Sequence, residues 1–274
     1  MDRAMIVLFN PLSTSPGKQP LPLSLMSLAA VLERTSEPWR LVDGNLTAHP
    51  AAEIIARLTA VPPAEIALLA VTVMPGPQLT QAVSVCRRVK AALPHVPIVW
   101  GGYFPTQHSD TVLQSPLVDF VRTRGSLDRV SGLSWKAGAH VIHNPLGAMT
   151  PLDDLPDLPY HRVEMEQYIH KNYLGRRTAA HNTSFGCPFA CSFCAVVSMS
   201  NRRWLAQSPA RMERVVRHLM SIYDIDAVQM HDMDFFISEA RTAEFCDRIA
   251  NLGLRWWALG RVDVLMQYSD GSPR

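Results

Sequence analysis

No stretch of this 274-residue sequence is apolar for the roughly 20 consecutive residues that a membrane-spanning helix requires. The opening run MDRAMIVLFNP is also too short for the apolar segment of a secretion signal. Charges nearly balance, with Lys+Arg 26 against Asp+Glu 24, and no long basic run occurs. These absences predict a cytoplasmic protein with no membrane partner and no nucleic-acid partner.

Cysteines are few, and they are not paired as in a disulfide framework. Cys187, Cys191 and Cys194 lie close together in the sequence, whereas Cys86 and Cys246 are isolated. Secreted disulfide-rich domains carry evenly paired cysteines, so this spacing predicts a reducing compartment and a metal site. We interpret Cys86, within a predicted helix, as a small buried core residue.

The first half of the chain alternates strand and helix patterns. Short apolar runs predict buried strands at residues 4–9, 39–43, 66–73, 97–102 and 118–122. Apolar residues at helical spacing predict crossover helices at residues 23–33, 51–60 and 79–93. We therefore expect an α/β domain over residues 1–130, a Rossmann-like doubly wound parallel sheet that binds ligands outside the carboxyl ends of its strands.

The pattern changes over residues 131–177. A hairpin is predicted at residues 132–144, and Pro151, Pro156 and Pro159 then exclude a helix or a central strand, so this segment is interpreted as a linker.

Strand and helix alternate again over residues 178–274. A helix is predicted at 209–223, a strand running into a polar loop at 227–236, a helix at 238–253 and a further strand from 255, with Ser238 as N-cap and Gly253 as stop. Only three strands of this unit are present, so we expect the first part of a (β/α) barrel and a chain that is a fragment of a longer protein.

The motif CxxxCxxC contains three cysteines and not four. A structural zinc site needs four protein ligands, and only His181 and the distant Cys246 offer a fourth. An iron-sulfur cube held by three thiolates instead leaves one iron without a protein ligand, as catalytic metal sites do. The pattern favours the cube, with zinc or a chance cluster as the alternatives.

Cys187, Cys191 and Cys194, with Phe193 directly before the last, resemble the signature loop of the radical S-adenosylmethionine (SAM) enzymes. The resemblance extends over residues 178–265. In that family SAM chelates the open iron of a 4Fe-4S cluster, and an electron from the cluster cleaves SAM to a 5′-deoxyadenosyl radical. The resemblance implies these cofactors, a small-molecule substrate and an electron donor such as flavodoxin or ferredoxin.

The resemblance also implies residues that bind SAM. Asp232 and Asp234 follow the second strand of the core, where the family binds the SAM amino group, and Asp232 is favoured. A solvated loop or a helix cap is the alternative for both. Arg261, near the end of the third strand, would pair with the SAM carboxylate or would be a surface arginine. Phe193 completes the predicted SAM set.

The first domain resembles the cobalamin-binding domain that precedes the core in one radical SAM subclass. The resemblance is clearest in VWGGYFPT, where Gly101 and Gly102 would leave room for a bulky ligand, although a tight turn would also explain them. Residues 10–24 contain no histidine, so no histidine ligand to cobalt is expected. Residues 122–128, RTRGSLD, replace the acidic GEGE-like segment of the subclass.

Together these features resemble the group that contains the anaerobic magnesium-protoporphyrin monomethyl ester cyclase and the class B methyltransferases. The predicted function is methylation or cyclisation at an unactivated carbon by a radical SAM enzyme with cobalamin as second cofactor. The alternatives are a radical SAM enzyme without cobalamin, of the methylthiotransferase or rearrangement type, and a non-enzymatic metal-binding module.

Overall fold

A computed structural model of the protein describes residues 5–15, 17–60, 62, 66–119, 127–138 and 140–268. The chain divides into two compact units, Met1–Ala148 and Met149–Arg274. Within the described ranges, no helix has the length and the apolar composition to cross a membrane.

A four-stranded parallel sheet forms the centre of the first unit. Its order is β2-β1-β3-β4, with β1 at Met5–Asn10, β2 at Trp39–Asp43, β3 at Ile66–Thr72 and β4 at Ile98–Gly101. The helices are α1 at Leu23–Arg34, α2 at Pro50–Thr59, α3 at Pro77–Ala92, and the short α4 at Tyr103–Gln107 and α5 at Ser109–Gln114.

Successive residues of β1 enter two separate cores. Val7 and Phe9 pack with residues of α2 and α3, whereas Leu8 packs with Trp39 and with residues of α1. Because the strand is buried on both faces, it is apolar at every position but its last. Helices therefore cover both faces of the sheet, which confirms the predicted doubly wound fold, and the observed bounds of these three helices and four strands lie within two residues of those predicted.

The predicted fifth strand, at residues 118–122, extends beyond the described residues, as do most of residues 122–128. The part that is described lies beside β4, because the Asp119 N–H donates to the Ile98 carbonyl at 2.9 Å, but it forms no strand of the sheet.

The predicted hairpin and the proline-rich segment lie in different units. Strands β5, Ser134–Ala137, and β6, His140–His143, form the antiparallel hairpin in the first unit. The proline-rich segment lies in the second unit, where the buried Arg211 guanidinium donates to the carbonyls of Leu152 and Pro156. Because each of these backbone acceptors has a fixed partner, the segment is anchored rather than free.

The second unit is built on a three-stranded parallel sheet of order β11-β10-β7. Its strands are β7 at Thr178–His181, β10 at Ala227–Met230 and β11 at Arg255–Ala258, and they are linked by α7 at Pro209–Tyr223 and α8 at Glu239–Ile249. An antiparallel ribbon of β8, Ser184–Gly186, and β9, Trp204–Ala206, lies between β7 and α7. The short helices are α6 at Val196–Ser200 and α9 at Val262–Leu265.

The predicted helix ends of the second unit are confirmed. Ser238 caps α8 by accepting the Arg241 N–H at 3.3 Å, and Gly253 stops the following turn with φ at +66°. The strand predicted from residue 255 ends at Ala258, and residues 262–265 form a helix instead of continuing it.

Candidate functional site

The three clustered cysteines lie on a loop whose two ends are joined by β8 and β9. Gly186, directly before Cys187, pairs with Trp204 in this ribbon. Gly186 has φ at +79°, and a Cβ atom at this position would overlap the Arg203 carbonyl. Only glycine therefore allows the two ends of the loop to meet so closely.

Within the loop, a backbone hydrogen bond connects two of the three cysteines, and another connects the loop to α6. The Cys194 N–H donates to the Cys191 carbonyl at 3.1 Å, and the Val197 N–H donates to the Cys194 carbonyl at 3.3 Å. All three thiols are half-buried. Burial raises the pKa of the Cys187 thiol above its ordinary value, although the Phe189 N–H acts in the opposite direction.

The three thiols are separated in the sequence as CxxxCxxC. A cube would bind each of three thiolates through a different iron, whereas a structural zinc site takes four ligands at one ion. Within the part of the chain that the structure describes, no three His, Cys, Asp or Glu side chains are gathered at one metal position.

His181, considered above as a fourth zinc ligand, has both ring nitrogens occupied. Its Nδ1 accepts the Tyr160 hydroxyl at 2.8 Å, and its Nε2 faces Gln207 Oε1 at 3.2 Å. The Gln207 amide nitrogen donates to the Asn182 carbonyl at 3.3 Å, so Nε2 of His181 carries the proton. Burial lowers the pKa of His181 below its ordinary value, which keeps the ring neutral. His181 has a structural role here.

The loops that follow β7, β10 and β11 lie at one edge of the sheet. The register sets His181 beside Met230 and Met230 beside Ala258, so the three parallel strands end together. The cysteine loop, the segment with Asp232 and Asp234, and Arg261 therefore follow strands that end at the same carboxyl edge.

Asp232 is completely buried and its carboxylate is used by the fold. Oδ1 accepts the Thr183 hydroxyl at 2.8 Å and also the Ser184 hydroxyl, while Oδ2 accepts the Thr183 N–H at 3.2 Å. The Thr183 hydroxyl in turn accepts Nη2 of Arg241 at 2.6 Å. The burial of Arg241 is not predictable from the sequence, because arginines in amphipathic helices are usually exposed. This network fixes the start of β8 and hence the base of the cysteine loop.

Asp234 is equally buried, but only one of its two carboxylate oxygens accepts a hydrogen bond from the described residues. Its Oδ1 accepts the Phe236 N–H at 3.1 Å, whereas Oδ2 has no hydrogen-bond partner among the described residues. Desolvation raises the pKa of Asp234 above its ordinary value, and its charge in turn raises the pKa of Cys187. Because a buried carboxylate oxygen without a donor is costly, this atom is a candidate acceptor for a ligand that lies beside the cluster.

The other two predicted SAM residues have different surroundings. Phe193 is 91% exposed at the tip of the cysteine loop, which is unusual for a large apolar side chain. Arg261 is engaged within the protein, because it pairs with both carboxylate oxygens of Asp263, at 3.0 and 2.5 Å, and its Nη1 lies 2.7 Å from Cys191 Sγ.

In the first unit, Gly101 is the last residue of β4 and Gly102 follows it at the carboxyl edge of the sheet. The two glycines differ in whether the fold leaves room for a side chain. A Cβ at Gly101 would meet nothing within 4 Å. Gly102 has φ at +93°, and a Cβ there would lie 3.0 Å from the Thr72 hydroxyl. The fold itself therefore requires glycine at Gly102. At Gly101 the space is open, which fits a ligand that approaches this edge. Gly76, after β3, was missed and has φ at +91°.

The loop after β1 is held by side-chain hydrogen bonds at the same edge. Asn10 Nδ2 donates to Asp43 Oδ1 at 3.0 Å, and Gln78 Nε2 donates to Asn10 Oδ1 at 3.2 Å, with all three residues buried. The Ser13 N–H donates to Asn45 Oδ1 at 2.8 Å. Amides and a carboxylate thus order a loop that contains no histidine.

Comparison with known sequences finds a family that is similar to the first unit. Residues 11–128 match the B12 binding domain family. The chain is homologous to the anaerobic magnesium-protoporphyrin IX monomethyl ester cyclase of Synechocystis sp., with 23% identity across 94% of this chain and 54% of the cyclase. An uncharacterized methyltransferase of Pyrococcus horikoshii is 29% identical over 54% of this chain and 32% of its own length. The chain thus spans about half or less of these curated relatives.

The fold is found in solved structures of TsrM, a radical SAM methyltransferase from Kitasatospora setae. One, with cobalamin and a 4Fe-4S cluster bound, has a TM-score of 0.71 at 15% identity and covers 96% of this chain and 57% of TsrM. Another, with tryptophan substrate and the SAM analogue aza-SAM bound, has a TM-score of 0.70 at 15% identity and covers 95% of this chain and 57% of TsrM. The predicted α/β fold class is confirmed, and a barrel beyond the three strands stays a prediction.

The two buried aspartates are expected to differ in their effect on stability. Asp232→Asn replaces an oxygen that accepts hydrogen bonds from Thr183 and Ser184, so it should lower the free energy of unfolding by about 1–3 kcal/mol. Asp234→Asn removes a buried charge whose second oxygen has no partner, so it should cost little or nothing. Urea denaturation of the metal-free chain measures both. An equal loss in the two variants would contradict the assignment of the structural role to Asp232.

Proposed function

We propose that this chain is part of a cobalamin-dependent radical SAM enzyme that methylates or cyclises a small-molecule substrate at an unactivated carbon. The observation that carries the proposal is the three-thiol loop, whose ends are fixed by the β8–β9 ribbon. Beside it lies a buried carboxylate oxygen for which the described residues offer no hydrogen-bond partner. The B12 binding domain match and the homology to a cyclase support the cobalamin subclass.

Cys187, Cys191 and Cys194 would hold a 4Fe-4S cluster and leave one iron open to SAM. When bound, this cofactor pair supplies a carbon radical after one-electron cleavage of SAM, and the electron would come from a donor such as flavodoxin or ferredoxin. The protein contributes a loop that is ordered before metal arrives, because the β8–β9 ribbon and Gly186 fix its ends. Such preorganisation lowers the entropy cost of binding the cluster.

Asp234 is the better acceptor for the SAM ammonium group. The Asp232 carboxylate already accepts three hydrogen bonds from Thr183 and Ser184, whereas no residue that the structure describes donates a hydrogen bond to Oδ2 of Asp234. An ammonium donor at this oxygen would remove the cost of its burial and form a charge-assisted hydrogen bond. Phe193, exposed at the loop tip, offers an aromatic surface to an apolar part of SAM.

Gly101 would lie against cobalamin at the edge of the first sheet. The open space at this glycine supports a close approach by a bulky ring, and the loop after β1 offers amides and no imidazole. Residues 10–24 contain no histidine, so we propose that this loop would supply no histidine ligand to cobalt.

Cys191→Ala should abolish assembly of the cluster. After anaerobic reconstitution with iron and sulfide, we expect the wild-type chain to be brown and to bind about four irons, and the variant to lose both properties. Cys246→Ala is the matched control, since this thiol lies on α8 outside the loop and should leave iron content unchanged. Retention of iron and colour in the Cys191 variant, or zinc without acid-labile sulfide in the wild type, would contradict the proposal.

Asp234→Asn should weaken SAM binding by about 1–3 kcal/mol, because an amide replaces the charged acceptor of the ammonium group. Calorimetry on the reconstituted chain measures this, and iron content checks that the cluster is intact. If the variant bound SAM with the wild-type affinity, Asp234 would not be the ammonium acceptor.

Gly101→Val should block cobalamin binding without unfolding the chain, since its Cβ meets no protein atom within 4 Å. Titration with hydroxocobalamin should give at least a tenfold weaker Kd, which corresponds to about 1.4 kcal/mol. Gly102→Val is a poor test, because its positive φ makes it destabilising by itself.

Circular dichroism of the Gly101 variant must match the wild type for this test to count. Binding of cobalamin by the variant with unchanged affinity would remove Gly101 from the site. A folded wild-type chain that bound no cobalamin would favour a radical SAM enzyme without it.

A further inference from the structure

Arg261 contacts the cysteine loop from a different strand end. It follows β11, yet its Nη1 lies 2.7 Å from Cys191 Sγ, a residue 70 positions earlier in the chain. Its guanidinium carbon also lies 4.1 Å from the centre of the Phe189 ring, within the same loop. One contact therefore joins the guanidinium to a proposed cluster ligand, and a second joins it to an aromatic residue of the same loop.

Asp263 fixes the direction in which the guanidinium points. Its carboxylate accepts Nε of Arg261 at 3.0 Å and Nη2 at 2.5 Å. This bidentate pair uses the edge of the planar guanidinium group that carries Nε and Nη2. Nη1 then remains to donate to the sulfur of Cys191. The contacts with Asp263 and Cys191 thus engage all three guanidinium nitrogens, and pairing of Arg261 with a SAM carboxylate, which the resemblance implies, stays a prediction.

We infer that Arg261 tunes the iron-sulfur cluster by donating a hydrogen bond to the Cys191 thiolate and by placing a fixed positive charge beside it. The inference rests on the proposed cluster at Cys187, Cys191 and Cys194. Reduction adds one electron to the cluster and so makes it more negative, and this electron comes from the external donor. A cation and a hydrogen bond at a ligand sulfur stabilise that reduced state and raise the reduction potential.

The test measures the midpoint potential of the reconstituted cluster by titration with dithionite in the presence of redox mediators, followed by EPR. Arg261→Gln should give a more negative midpoint potential than the wild type, with the same iron content. Arg261→Lys keeps the charge but cannot hold Asp263 and the thiolate in one planar fork, so it should give an intermediate value.

Arg202→Gln is the matched control. Arg202 belongs to the same loop, and its Nε donates to the Pro188 carbonyl at 3.3 Å rather than to a cysteine sulfur. The Arg202→Gln variant loses one positive charge from the loop, as Arg261→Gln does, but it loses no hydrogen bond to a cysteine sulfur. The midpoint potential of the Arg202→Gln variant should therefore stay near that of the wild type. SAM affinity, measured by calorimetry on the same samples, should be nearly unchanged in Arg261→Gln.

The outcomes separate this inference from the proposed function. If the Arg261→Gln variant assembled a cluster with the wild-type midpoint potential, the inference alone would be wrong. If that variant kept the wild-type potential and also lost much of its SAM affinity, Arg261 would bind the SAM carboxylate instead. An equal shift in Arg202→Gln would also overturn it, because general charge would then explain the effect. If the wild-type chain assembled no cluster, the proposed function and this inference would both be wrong.

Discussion

The buried carboxylate of Asp232 joins the elements on which the candidate site depends. It lies after β10, and it accepts hydrogen bonds from the first residues after β7, at the point where the chain enters the cysteine loop. Arg241 of α8 compensates the buried charge through the shared Thr183 hydroxyl. A carboxylate without such donors would not tolerate complete burial, and without the carboxylate the loop would lose its anchor to the sheet.

This anchoring explains how two aspartates separated by one residue have different roles. Both are completely buried, but only one is satisfied by the protein. The described residues thus form the fold without donating a hydrogen bond to Oδ2 of Asp234, so a ligand could donate one there and gain binding energy. A similar division applies to the paired glycines of the first unit, because the backbone requires Gly102 whereas the space beside Gly101 is open.

The sequence predicts the strands and helices well because burial on both faces of a parallel sheet leaves an uninterrupted apolar run, as in β1. The resemblance places the cysteines, the aspartates and Arg261 after successive strands, and parallel strands end together. It favours Asp232 over Asp234 as the SAM residue, because the hydrogen bonds that engage Asp232 come from Thr183, which is distant in the chain and leaves no local pattern. The contact between Arg261 and Cys191 spans 70 residues and leaves no local pattern.

We propose that Cys187, Cys191 and Cys194 hold the cube and leave one iron open to SAM. Mössbauer spectroscopy of the chain reconstituted with 57Fe, recorded with and without SAM, distinguishes this iron from the other three. One iron of the cluster should change its isomer shift when SAM is added, while the three thiolate-bound irons keep theirs. If SAM changed none of the four irons, the proposal of an open iron would be wrong.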